Sequence, residues 1–127
     1  MVPENRWYTK EHEWVEIQGE KARVGITQHA QEQLGDIVYV ELPKVGSEVK
    51  QMAPSGVIES VKAVSEIYAP ISGVVVEVNQ QLNDHPEKIN QDPYESGWMF
   101  ALKPSNPKEI ETLLKPKDYL DLIGVAH

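Results

Sequence analysis

Apolar and polar residues alternate with a period of two in several short stretches, which turn-forming residues separate. Residues 12–17 alternate in this way, Gly19 and Glu20 predict a turn, and residues 21–26 predict the returning strand of a hairpin. The same signals predict four more strands, over residues 36–42, 44–49 (a turn and a short strand), 73–79 and 97–102. The pattern is therefore typical of a mainly β protein.

Two internal regions depart from this alternation. Thr27 is a suitable N-cap for a short helix over residues 28–34, and Gly35 suits the C′ position. This two-turn helix is too short to be stable without packing against the rest of the protein. Residues 80–94 are polar and contain several turn-forming residues, so we interpret them as a loop.

The C-terminal segment, about residues 106–124, changes to a helical pattern. Asn106 can cap a helix there, and Glu109 completes a capping-box pattern with it. Pro116 breaks this helix, and a shorter helix is predicted over residues 117–123. A short helical appendage on a β body is therefore expected.

A second hairpin is predicted between Gly56 and Gly73, and it places one lysine at its tip. The two arms are rich in β-branched and aromatic residues, and a proline stops the second arm. Lys62 lies halfway along and is the only Lys or Arg in residues 51–87. A lysine on such a tip is exposed and held by pairing on both sides, so a modifying enzyme can reach it. A solvated turn lysine gives the same pattern.

Composition narrows the functional classes. The 127 residues predict one domain, residues 1–127, with a β core over about residues 6–102. The net charge of −8 disfavours binding to nucleic acid and to anionic membranes. Cysteine is absent, so any sulfur chemistry must come from a prosthetic group. The N-terminal residues lack the pattern of a signal or transit peptide, which favours a cytoplasmic protein, although a processed mitochondrial form would look the same.

Residues 59–63, followed by residues 68–73, closely resemble the lipoylation segment of the glycine cleavage system H protein family. The similarity continues in order along nearly the whole chain, at residues 12–15, 25–30, 34–43 and 90–98 and in the C-terminal tail. This resemblance implies a barrel-sandwich hybrid fold, as in lipoyl and biotinyl domains. It also implies lipoate in amide linkage to Lys62.

The resemblance implies a non-catalytic carrier, expected to be a monomer. In this family the lipoyl arm takes an aminomethyl group from glycine decarboxylase, a pyridoxal-phosphate enzyme, and delivers it to an aminomethyltransferase that uses tetrahydrofolate. Dihydrolipoamide dehydrogenase then reoxidises the arm. A lipoate-attaching enzyme is the fourth expected partner.

The resemblance also suggests roles for five further residues. Glu59 and Gly73 are candidates for recognition by the lipoate-attaching enzyme. Glu13 and His29, at family-like motif positions, and Glu66, which is close to Lys62 in the sequence, are candidates for a cleft that protects the loaded arm. A carboxylate there could pair with the ammonium group, and a histidine could tune it. Each also has an ordinary interpretation, as a solvent-facing residue or, for Gly73, a turn glycine. The histidines, at positions 12, 29, 85 and 127, show no spacing typical of metal ligands, so no metal site is predicted.

Three alternative functions share parts of these signals. A biotin carrier also presents a lysine at a hairpin tip, but biotinylated lysines usually lie between methionines, and Lys62 lies between Val61 and Ala63. A lipoyl domain of a 2-oxo acid dehydrogenase is usually joined to other domains by long linkers, which this sequence lacks. A lipoate relay protein, which donates its lipoyl group to other carrier domains, is not distinguished by the sequence.

Overall fold

The structure is a computed structural model and describes residues 2–124. The strands are β1 (Trp7–Tyr8), β2 (Glu13–Gln18), β3 (Lys21–Ile26), β4 (Ile37–Glu41), β5 (Glu48–Val49), β6 (Pro54–Ser60), β7 (Val64–Tyr68), β8 (Gly73–Val78) and β9 (Phe100–Pro104). The helices are α1 (Gln28–Leu34), α2 (Gln81–Asp84), α3 (Lys88–Gln91), a 3₁₀ helix (Pro107–Thr112) and α4 (Pro116–Leu122). None of the helices in this described part is long and apolar enough to cross a membrane.

The strands form two antiparallel sheets, which confirms the prediction of a mainly β protein. The larger sheet has the order β1-β2-β3-β9-β8-β5, and the smaller has the order β4-β6-β7. Alternate side chains of each sheet are buried in one shared core, which includes Ile58 and Ile67 of the smaller sheet and Val24, Phe100 and Leu102 of the larger. The core thus holds the lysine hairpin, β6–β7, against the larger sheet.

Helix α1 forms where the cap residues predict it. The Thr27 hydroxyl accepts a hydrogen bond from the Ala30 N–H at 3.2 Å, and Gly35 ends the helix with φ 79°. Ala30 and Leu34 pack against the core, which supplies the stabilisation that a two-turn helix lacks by itself. The helix therefore occupies a fixed position beside the lysine hairpin.

The prediction of a loop over residues 80–94 was wrong, because two short helices, α2 and α3, lie there. Their stability comes from burial: Leu82 and Ile89 are both fully buried in the core. The strand predicted over residues 97–102 begins only at Phe100. Gly97 instead lies in a turn, where its N–H donates to the Asp92 carbonyl at 2.8 Å.

The C-terminal appendage is helical, and its first helix is a 3₁₀ helix. Asn106 caps it by accepting a hydrogen bond from the Lys108 N–H at 3.3 Å. The predicted capping box is wrong, because the Glu109 carboxylate binds Ser72 instead, accepting from its N–H at 2.7 Å and its hydroxyl at 2.9 Å. This pairing ties the appendage to the turn before β8.

Helix α4 packs on the N-terminal strands. Pro116 occupies its first position, and the ring of Tyr119 stacks on Tyr8 with 4.8 Å between centroids. Both tyrosines are fully buried, so the C-terminal helix is part of the folded body.

Candidate functional site

The tip of the lysine hairpin is a tight, hydrogen-bonded turn, as predicted. The Ser60 N–H donates to the Ala63 carbonyl at 2.8 Å, and the Ser60 hydroxyl oxygen accepts from the N–H groups of Lys62 and Ala63. The Val61 N–H donates to the Asp36 carbonyl at 3.0 Å, which fastens the tip to the loop before β4. Lys62 is therefore an exposed amine on a fixed turn. Ser60, which sequence reasoning did not single out, organises this turn.

The side chain of Lys62 lies over Gly35, at the end of α1. A Cβ at Gly35 would lie 3.5 Å from Lys62 Cε. Asn90 of α3 supports this junction, donating to the Gln31 side chain and the Gly35 carbonyl, both at 2.9 Å. Its side-chain oxygen also accepts from the Ile37 N–H at 2.9 Å. Asn90 thus joins α1, α3 and β4 beneath the lysine, a role that the loop interpretation of residues 80–94 concealed.

A cleft of about 190 Å³ lies beside the hairpin, between β7, the start of β2 and α1. Three carboxylate residues, Glu11, Glu13 and Glu66, line it together with apolar side chains such as Leu34 and Ile67. The cleft therefore combines apolar walls with negative charge. The structure brings the predicted Glu13 and Glu66 together there, and it adds Glu11, which sequence reasoning missed.

Glu13 is the buried carboxyl group of this cleft, with 2% of its surface exposed. One carboxylate oxygen accepts from the Thr9 hydroxyl at 2.5 Å, and the other accepts from the Tyr68 N–H at 3.2 Å. Burial raises the pKa of Glu13 to about 7, while these two hydrogen bonds oppose the increase. Glu13 is thus held in place and able to gain or lose a proton near neutral pH.

The free edge of β7 also faces this cleft, because β7 is an edge strand of the smaller sheet and Tyr68 donates from it to Glu13. Backbone groups alternate in direction along a strand, so the N–H of Glu66 lies on the same side as that of Tyr68. The register agrees, since Tyr68 lies opposite Pro54, which has no N–H. The cleft therefore offers a backbone donor as well as carboxylates.

His29, which was predicted to lie in this cleft, is not part of its lining. It lies next to His12, which was not predicted to be there. His12 lines the cleft, and its ring centroid is 4.7 Å from that of His29. His12 Nδ1 lies 2.8 Å from the Tyr119 hydroxyl, which lies 2.7 Å from the Thr27 hydroxyl. Burial, followed by the nearby His29, lowers the pKa of His12. A neutral His12 thus connects α4 to the cap of α1.

The two predicted recognition residues occupy different environments. Glu59 is partly exposed on β6, in register with Tyr39 of β4 and Val64 of β7. Gly73 is buried at the start of β8, where a Cβ would lie 2.4 Å from the Lys103 carbonyl oxygen. The close approach of β8 to β9 therefore requires glycine at this position. Within residues 2–124, no group of three or more His, Asp or Glu residues is arranged to hold a metal ion.

Comparisons with known proteins agree with this geometry. A family model described as "Glycine cleavage H-protein" matches residues 6–124. A glycine cleavage system H protein of Geobacillus kaustophilus is 57% identical over 123 residues, or 97% of both chains, and one of Bacillus subtilis is 54% identical over 95% of both.

A crystal structure of a glycine cleavage system H protein from Mycobacterium marinum matches with a TM-score of 0.91 and 41% identity, covering 98% of this chain and 100% of that one. This match confirms the barrel-sandwich hybrid fold that the sequence predicted. The chain belongs to the glycine cleavage H-protein family, the lipoylated carriers of the glycine cleavage system.

Proposed function

We propose that Lys62 carries lipoate in amide linkage and that the protein is a non-catalytic carrier. It would shuttle the aminomethyl group of glycine from glycine decarboxylase to the aminomethyltransferase, and electrons to dihydrolipoamide dehydrogenase. The observation that carries this proposal is a single exposed lysine on a fixed hairpin tip, beside an acidic cleft with apolar walls. Bound lipoate would supply a dithiolane, whose sulfur atoms accept the aminomethyl group and the electrons.

The residues of the tip suit attachment of such a group. Ser60 and the bond from Val61 to Asp36 hold the backbone of the turn, so the amine of Lys62 has a defined origin. A tethered group is present at a high effective concentration wherever its arm can reach, which turns delivery between active sites into an intramolecular event. Because the turn is rigid, only the side chain of Lys62 and the group attached to it would move.

The cleft suits a loaded arm at rest. An aminomethyl group on the arm carries an amine, and its ammonium form would be attracted by Glu11, Glu13 and Glu66. The apolar walls would exclude water from the arm bound in the cleft, which would slow hydrolysis of its aminomethyl group. Glu13 ionises when an ammonium group approaches it, since an opposite charge favours the charged carboxylate. His29 would act on this cleft only through its contact with His12.

Recognition by the lipoate-attaching enzyme is proposed for Glu59 and Gly73. Glu59 lies three residues before Lys62 on the hairpin and is accessible to a protein partner. Gly73 is buried and lies beyond the far end of β7, so it would contribute through the packing of β8 against β9. Glu59 would therefore contact the enzyme directly, whereas Gly73 would maintain the shape of the domain that the enzyme recognises.

Two measurements test the proposed function. Intact-mass spectrometry of protein from lipoate-replete cells should show one lipoyl-sized addition, which Lys62→Arg should abolish without unfolding the protein. A biotin-sized addition, or none, would contradict the attachment. Glycine–bicarbonate exchange with purified glycine decarboxylase should then depend on the lipoylated protein. A protein that is lipoylated but inactive in exchange, and that donates lipoyl groups to other carrier domains, would instead be a lipoate relay.

A further inference from the structure

The smaller sheet has a solvent-facing surface, which we call the outer face. Val40 and Ile58 are buried on its inner side, so residues one position away along the strands point outward. The register places these outward residues in two rows across β4, β6 and β7. The rows are Tyr39–Glu59–Val64, next to the tip, and Glu41–Val57–Glu66 behind it.

The row next to the tip exposes much apolar surface. Tyr39 is 48% exposed and Val64 is 69% exposed, and Val61 of the turn is also 69% exposed. Val38, at an irregularity in the pairing of β4, adds a fourth apolar side chain that is 54% exposed. Four of the exposed large apolar residues thus lie in the turn, in the row next to it or beside that row, and such a cluster marks an interaction surface more often than scattered apolar residues do.

Carboxylates are distributed through this apolar surface. The six positions of the two rows include three glutamates and no lysine or arginine. Behind the first row, Glu41, Glu66 and Lys44 border a hollow of about 280 Å³, which Gly56 and Val57 also line. Gly56 allows β4 and β6 to approach closely here, since a Cβ there would lie 2.7 Å from the Glu41 carbonyl oxygen. The two carboxylates of the hollow outnumber its one ammonium group, so the hollow favours a cationic side chain such as arginine.

Attachment of an acyl group changes the charge at this surface. The ammonium of Lys62 is the one cation within the hairpin, residues 54–68, and an amide bond removes it. The unmodified protein thus presents a positive charge at the tip edge of this face, whereas in the acylated protein Lys44 is the one cation among the described residues of the hollow and the two rows, beside three glutamates. A partner surface that carries cations would distinguish the two forms by electrostatic repulsion from the free amine.

We propose that the outer face is the docking surface for glycine decarboxylase, which would present apolar side chains surrounded by arginine or lysine, with one cation in the hollow. This inference rests on the proposed function. An enzyme that admits the arm of Lys62 into its active site must cover the residues around the tip. The outer face adjoins the tip and exposes apolar side chains among carboxylates, so it is the face that such a cationic partner would cover.

Variants of β4 test this surface without altering the cleft or the lysine. Tyr39→Ser removes an apolar contact and Glu41→Gln removes a charge at the hollow. Ile17→Ser and Glu111→Gln are matched controls, since both residues are exposed and lie outside the two rows. All four proteins are lipoylated, and intact mass verifies this before glycine–bicarbonate exchange is measured.

We expect Tyr39→Ser to raise the KM for the lipoylated protein about tenfold. Glu41→Gln should raise it about threefold at low salt and less at high salt. The kcat should stay unchanged, and both controls should stay within about twofold of the wild type. Wild-type KM values for both β4 variants, with an active wild type, would overturn the docking surface and leave the proposed function intact. Absence of exchange with the wild type would overturn both.

A second experiment tests the charge argument without the arm. Unlipoylated Lys62→Gln protein and unlipoylated wild-type protein are compared as competitive inhibitors of the exchange. The neutral glutamine should make Lys62→Gln the stronger inhibitor, and the difference should shrink as salt increases. Equal inhibition, or stronger inhibition by the wild type, would refute the role of the lost charge.

Discussion

Replacing Glu13 by glutamine should remove a pH-dependent loss of stability that this buried carboxyl group causes. Glu13 is 2% exposed, and its two oxygens accept from the Thr9 hydroxyl and the Tyr68 N–H. Burial raises its pKa from the ordinary 4.5 to about 7. Glutamine has nearly the same shape and can still accept from Tyr68 while its amide donates to Thr9, but it does not ionise.

The size and sign follow from proton linkage. A carboxyl group with a raised pKa in the folded state favours the neutral form, so its stabilisation is complete below pH 4.5. This stabilisation is lost as the pH rises through the folded value of about 7. With about 1.4 kcal/mol for each pKa unit, the wild type should lose about 3 kcal/mol relative to Glu13→Gln between pH 4.5 and about 8.5.

The assay is urea unfolding of the unlipoylated wild type and Glu13→Gln, followed by tryptophan fluorescence at several pH values. The measured quantity is the difference between the two free energies of unfolding. Other titrating groups, including His12, are present in both proteins, so their contributions cancel in this difference. A difference that stays constant from pH 4.5 to 8.5, or that changes in the wild type's favour, would refute the assignment of a buried carboxyl group with a raised pKa.

Three further predictions concern stability. Asn90→Ala removes three hydrogen bonds at the base of the tip and should lower the free energy of unfolding by about 2–3 kcal/mol, whereas exposed Asn83→Ala should change it by less than about 0.5 kcal/mol in the same urea titration. Gly73→Ala places a Cβ 2.4 Å from the Lys103 carbonyl oxygen and should cost about 2–4 kcal/mol; a wild-type melting temperature would contradict this close approach. His12, with a lowered pKa, should destabilise the protein as the pH falls below 6.5, and His12→Asn, which tolerates the positive φ of 72°, should remove that acid-side slope in thermal melts. An unchanged slope would show that His12 protonates freely in the folded state.

Local signals determined the parts of the fold that the sequence predicted. The hairpin around Lys62 needs only its own strand-forming residues and a turn, and α1 has a cap residue at each end. The strand pair β2–β3 also forms between neighbouring segments. In each case the residues that specify the element lie inside it, so a reading of one sequence is sufficient.

Contacts between distant segments determined the parts that were missed. Helices α2 and α3 have four residues each and no side-chain cap, and the burial of Leu82 and Ile89 in a core made by other strands stabilises them. The sequence pattern predicted that Glu109 would form a capping box with Asn106. Its carboxylate instead binds Ser72, which is 37 positions away. Such choices depend on the assembled fold, and no periodic pattern encodes them.

The residues of the cleft could also be predicted only in part, because distant segments of the chain form it. Family resemblance suggested Glu13, and closeness to Lys62 in the sequence suggested Glu66. Their meeting depends on Glu13 reaching the end of β7, 55 residues along the chain. Glu11 and His12 lie beside Glu13 in the sequence, and a strict strand pattern gave no reason to place all three at one cleft. The positive φ of His12 interrupts that pattern at the start of β2. The backbone conformation of His12 is therefore the reason that Glu11 and His12 were not predicted to line the cleft.

Strand β7 separates two acidic surfaces with different proposed tasks. Its free edge borders the cleft in which the arm would rest, and its outward side chains belong to the face on which an enzyme would dock. Glu66 borders both the cleft and the hollow, so any substitution there changes the two surfaces together. Glu13 and Glu41 each border only one of them. Protection of the loaded arm and docking therefore have separate electrostatic determinants, and the lifetime of the arm should follow Glu13 while the KM for the carrier follows Glu41.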